Sequence, residues 1–197
     1  MLHRGRLLPI AGATALIVGL SVGVAPRLAG ASNPHAGVER LAFDLAPSSS
    51  AIANCFPHLR AHVEVKLQTD KVGFDTFEIE AEGLPDRTSF TVFLLQQPGS
   101  PFGAAEYIGD FTTGPNGKGK NTFNLIVEEA FASTLVNGQR VRADLNHVGF
   151  WFADPAGDDV CFGPGGGAVT PFDGDNEAGV QVMNSANALP GAPLPPP

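Results

Sequence analysis

Four stretches between residues 61 and 145 change character at every second position. Val63, Val65 and Leu67 alternate with His62, Glu64, Lys66 and Gln68. Phe77, Ile79 and Ala81 alternate with Glu78, Glu80 and Glu82. Phe123, Leu125 and Val127 repeat the pattern, as do Val141, Ala143 and Leu145 with Arg140, Arg142 and Asp144 between them. A period of two sends successive side chains to opposite faces of an extended strand, so these stretches require sheets with one face buried and one wet. Leu41, Phe43 and Leu45 fit an earlier strand of the same kind. The run Ser89–Gln96 differs: Phe90, Val92, Phe93, Leu94 and Leu95 leave almost no polar face, which predicts a central strand covered on both sides. Tyr107–Thr113, Val148–Phe152 and the residues around Val180 and Val182 complete the set.

Turns separate the strands. Gly83-Leu84-Pro85-Asp86 and Pro98-Gly99-Ser100-Pro101 punctuate the chain, and Asn116-Gly117 predicts a hairpin because it supplies positive φ angles. Glu128–Leu135, with acids at its start and Ala130, Phe131 and Leu135 near helical spacing, reads as one short helix. Many short strands with Gly and Pro turns predict an all-β fold: an antiparallel β-sandwich, Ig-like or jelly-roll-like, with that helix and one disulfide. The expected organisation is a signal peptide over 1–31, an N-terminal segment over 32–54, a single β domain over 55–187, and a disordered proline-rich tail over 188–197.

The start, Met1-Leu2-His3-Arg4-Gly5-Arg6, is a positive n-region, and the apolar run Leu7–Ala25 follows it. Ala29-Gly30-Ala31 then offers small residues at the two positions signal peptidase reads, so cleavage is expected after Ala31. Arg4 and Arg6 are not adjacent, which argues against a twin-arginine signal, and no cysteine near the cut invites a lipid anchor. Cleavage removes three arginines and no acid, so the formal charge of −8 becomes −11. Such a surface repels phosphate groups, which argues against nucleic acid and anionic membranes as partners. A monomer that meets an extracellular glycan or protein ligand is expected. Cys55 and Cys161 are the only cysteines. In an oxidising compartment they are expected to pair, and closing a loop of about 105 residues would stabilise the fold by roughly 4–5 kcal/mol.

Chemistry-bearing residues are sparse. Asp154, Asp158 and Asp159 flank one loop, and Asp173, Asp175 and Glu177 lie on another. Alternate acids on a loop can supply the oxygen ligands calcium takes, which makes Asp158, Asp159, Asp173, Asp175 and Glu177 the candidate calcium set. The second loop opens like an EF-hand, but Ala178 stands where the glycine belongs and Asn184 where the bidentate Glu belongs. Trp151 is expected to pack on the disulfide, or else to line a ligand groove with His147 and Asp154. No catalytic residue is assigned. Outside the expected signal peptide the chain lacks a G-x-S-x-G elbow, and the rival hydrolase reading rests on His147 with nearby carboxylates such as Asp144.

One stretch carries a resemblance. His147-Val148-Gly149-Phe150-Trp151-Phe152, Pro155, Cys161, Thr170-Pro171-Phe172-Asp173-Gly174 and Ala178-Gly179-Val180-Gln181-Val182-Met183-Asn184 resemble a group of secreted proteins from high-GC Gram-positive bacteria. The group has no assigned activity. The resemblance implies export and a bacterial cell-surface context, and neither a substrate nor catalytic residues. The expectation that follows is a secreted, non-catalytic binding domain whose function sits in its loops.

Overall fold

The computed structural model describes residues 40–127, 129–171, 176–185 and 194. The alternating stretches are strands: β1 (Arg40–Pro47), β2 (Arg60–Lys66), β3 (Asp75–Glu82), β4 (Ser89–Leu95), β5 (Ala105–Thr112), β6 (Gly119–Leu125), β7 (Phe131–Val136), β8 (Gln139–Asp144), β9 (His147–Phe152) and β10 (Gln181–Asn184). Short helices α1 (Ser50–Cys55), α2 (Thr69–Val72) and α3 (Asp159–Phe162) lie between them.

Eight strands form one antiparallel sheet in the order β5-β4-β9-β10-β1-β2-β3-β6. β1 joins its two halves. Residues 40–45 pair with β2, placing Leu41 opposite Val65 and Phe43 opposite Val63. At its end, Ala46 and Pro47 pair with Asn184 and Met183 of β10. The outer strands β5 and β6 share no ladder, yet they meet: Asn121 Nδ2 donates to the Asp110 carbonyl at 2.6 Å, and the Phe123 ring lies over the Gly109 backbone. The sheet is therefore rolled almost into a barrel, and its two edges cover each other.

Alternation explains the interior. Val63, Val65, Phe77 and Ile79 from one half face Phe90, Val92, Phe150, Phe152 and Val182 from the other. Phe90 sits among Phe150, Phe152 and Phe111, with ring centroids 4.9, 5.1 and 6.4 Å away. β4 is buried at every residue after Ser89, as its unbroken apolar run requires. Its outward residues Phe93 and Leu95 join Trp151 and Ala178 in a second, smaller cluster, against which Phe102 packs. Cys55 and Cys161 are bonded, with a Cα–Cα distance of 5.6 Å and a sequence separation of 106, tying α1 to α3.

Four expectations change. The helix expected over 128–135 is, from Phe131 on, strand β7, paired with β8 as a two-stranded ribbon (Glu128 lies outside the described residues). Asn137 and Gly138 both have positive φ, 52° and 80°, the geometry of a type I′ hairpin turn, and the β-branched Thr134, Val136 and Val141 around it favour strand over helix. The turn at 114–118 does not build a paired hairpin: there the chain crosses between the two edges of the roll. β1 and α1 precede the expected domain start at Cys55 but are integral, since β1 is the strand the two halves share. Finally, Leu194, within the segment expected to be an unpacked tail, is buried in the main core, and its N–H donates to the Asn146 carbonyl. A leucine among prolines can still bury its side chain where a core accepts it. Residues 1–39, which include the expected signal peptide, lie outside the described residues, as do 186–193 and 195–197.

Candidate functional site

The same alternation that fills the core writes a second pattern on the outer face of β1, β2, β3 and β6. Asp44, His62, Glu80 and Lys120 are successive Cα partners across the four strands. In the next row out, Arg60 stands opposite Glu82. These side chains border a cavity of about 930 Å³, to which Leu45, Pro47 and Leu59 add an apolar part and Lys118 and Asn116 a polar rim.

The charges are tied together. His62 Nδ1 lies 2.7 Å from Asp44 Oδ1. Glu82 binds Lys118 Nζ at 2.6 Å through one oxygen and Arg60 at 3.0 Å through the other. Lys120 Nζ reaches Glu78 at 2.6 Å. The hydrogen bond and charge of Lys118, joined by Arg60, hold the Glu82 carboxyl below the usual range, and the hydrogen bond that Lys120 donates to Glu78 raises its ammonium above its own usual range. Exposed pairs of this kind contribute little to stability, because water and salt screen them. Their effect is positional: they fix both signs of charge at set points around one concavity. Among the described residues no serine, threonine or cysteine lines it.

None of the described candidate ligand and metal residues, Trp151, His147, Asp154, Asp158, Asp159 and Glu177, borders this cavity. Trp151 is only 2% exposed. It does not pack on the disulfide: Phe93 and Phe102 meet it edge-on at 5.4 and 5.0 Å, on the face of β9 opposite Phe150 and Phe152. The disulfide packs instead on the main core. The reason is the strand period, which turns Trp151 away from the side that α1 and α3 cover.

His147 is half-buried, and burial lowers its pKa. Its Nδ1 faces the buried Ser185 Oγ at 3.4 Å, while Asp144 is bound by Arg142 at 2.6 Å. The histidine and carboxylate of the hydrolase reading are thus each engaged elsewhere.

The acids of the first loop serve their own backbone. Asp154 accepts from the Ala156 amide at 2.7 Å and caps the 3-10 turn Pro155–Asp158. Asp158 is buried and accepts from Val180 N at 2.9 Å; Asp159 accepts from Gly165 N at 2.9 Å. Burial raises the Asp158 carboxyl pKa. Glu177 is exposed, and Asp173 and Asp175 lie outside the described residues. Among the described residues no three His, Cys, Asp or Glu side chains converge as metal ligands would.

The charged cavity was hidden from sequence reasoning for one reason. Each of its residues reads as the wet side of some strand, and only the pairing of β1, β2, β3 and β6 brings the wet sides together. Scans against family models, curated proteins and solved structures find no match.

Proposed function

We propose that this is an exported, non-catalytic binding domain whose ligand sits in the charged cavity of β1, β2, β3 and β6. The observation that carries the reading is the row Asp44, His62, Glu80, Lys120, held at fixed points around about 930 Å³ of open space. The ligand it suits is polar and carries both signs of charge, as a peptide or a charged glycan does. The disulfide supports an oxidising compartment, and among the described residues no helix is long and apolar enough to cross a membrane. We also read the rolled sheet as a sandwich whose layers, β5-β4-β9-β10 and β2-β3-β6, meet at β1; the apolar rows facing across the core support this.

Peptide and glycan arrays test the proposal. Binding should weaken as salt rises, because exposed charges are screened, and should be lost in the double variant Lys118→Glu, Lys120→Glu. Absence of any ligand across pH and calcium concentrations would remove it.

A further inference from the structure

The ribbon of β7 and β8 holds four of the ten large apolar side chains exposed among the described residues. Phe131 is 51% exposed, Leu135 63%, Val136 50% and Val141 40%. Exposed apolar clusters on soluble proteins mark contact surfaces. Among the described residues β7 pairs with β8 alone, so its other edge presents backbone donors and acceptors to any strand that can reach them.

Natural edge strands are guarded by charge, proline or a bulge. The outer edges of the main sheet, β5 and β6, are covered by each other. β8 carries Arg140, Arg142 and Asp144. β7, reading Phe131-Ala132-Ser133-Thr134-Leu135-Val136, has no charge, no proline and no ladder irregularity. It is the unguarded edge.

We infer that β7 pairs antiparallel with β7 of a second copy of this chain, centred on Ser133, to form a four-stranded ribbon. Symmetry selects the register. A two-fold axis normal to the ribbon keeps each face on its own side, so only residues of the same parity can stand opposite one another. Centring on Ser133 places Phe131 opposite Leu135 of the second copy, twice, and Ala132 opposite Thr134. Both of those exposed apolar side chains then gain a cross-strand partner. Centring on Thr134 would put Phe131 against the turn residue Asn137, and centring on Ala132 would put Leu135 against Glu129. The chain's overall negative charge opposes self-association, but this edge contributes none of it, and Arg140 and Arg142 lie beside it. The monomer expected from composition therefore gives way to a dimer, because net charge averages over a surface whose contact edge is neutral.

A six-residue edge buries less than the roughly 1,200 Å² of a durable interface, so the dimer should be seen at high micromolar concentration and above. Sedimentation equilibrium of the exported chain should show it. Leu135→Lys should weaken the dimer at least about tenfold through two lost pairs and two added charges, and circular dichroism should show the fold intact. Mild oxidation of Ser133→Cys should give a covalent dimer, with Thr134→Cys giving far less. Monomer up to about 1 mM, association indifferent to Leu135→Lys, or equal cross-linking at both positions would overturn the inference.

Discussion

Asp75 holds three backbone amides on one buried carboxylate. Oδ1 accepts from Gln68 N at 2.7 Å and Thr69 N at 2.9 Å, and Oδ2 accepts from Val127 N at 2.8 Å. It fastens the start of α2 and the segment after β6 to the first residue of β3. Asp75→Ala would leave one buried and two half-buried amides without this acceptor and should cost about 3 kcal/mol or more, read from urea midpoints. Asp75→Asn keeps one acceptor oxygen but turns an NH₂ toward an N–H, and should cost about 1–3 kcal/mol. Two other groups give stability opposite slopes with pH. Burial lowers the His147 pKa from 6.5, so the unfolded chain takes up the proton first and stability falls as pH drops through 6.5. Burial raises the Asp158 pKa from 3.8, so the folded chain takes up the proton first. Stability then rises as pH falls from the raised value toward 3.8. Thermal melts across pH should show His147→Gln flattening the first slope and Asp158→Asn the second. At this scale the sequence was informative about polarity and silent about partners. In the sequence Asp158 reads as a calcium ligand, and nothing there shows the amide of Val180, 22 residues away, that it accepts in the fold.

Most strands were visible in the chain because their pattern is local and periodic. β4 was recognisable as central from composition alone. The ribbon was not, because three apolar residues at helical spacing imitate a helix when the Asn137-Gly138 turn that folds them back goes unread. β9 shows what a strand buried on both faces demands of its neighbours. A Cβ on Gly149 would fall within 3.0 Å of the Trp151 indole and of Leu95. Gly149→Ala should therefore cost about 1–3 kcal/mol by overpacking. It should also shift the fluorescence of Trp151, the chain's single tryptophan, as the indole moves toward solvent. The α1–α3 link is a further element-level test. Cys55→Ser with Cys161→Ser should lower stability by about 4–5 kcal/mol if chain entropy dominates, a loss measurable by denaturant titration.

At the scale of the molecule, the mostly β, antiparallel character followed from the period of two and the disulfide from the count of cysteines. The candidate site did not follow. Asp44 and Lys120 are far apart in sequence, and each is unremarkable until β1, β2, β3 and β6 are set side by side. The proposed export makes its own prediction: mass spectrometry of the culture medium should find a mature terminus at Ser32. Intact Met1 found only in membranes would contradict it.

The position of β1 also has a consequence in time. Its first six residues can zip onto β2 and β3 as soon as those exist, since the contacts are near in sequence. Its last two wait for β10, whose partners Met183 and Asn184 lie near the end of the chain. A chain made from its N-terminus therefore holds a half-formed sheet with an open flank until β10 arrives. Pairings this remote slow folding. Under the proposed export, a chain that crosses a membrane before it folds brings β1 to β9 across ahead of β10, the strand that joins the two halves at β1.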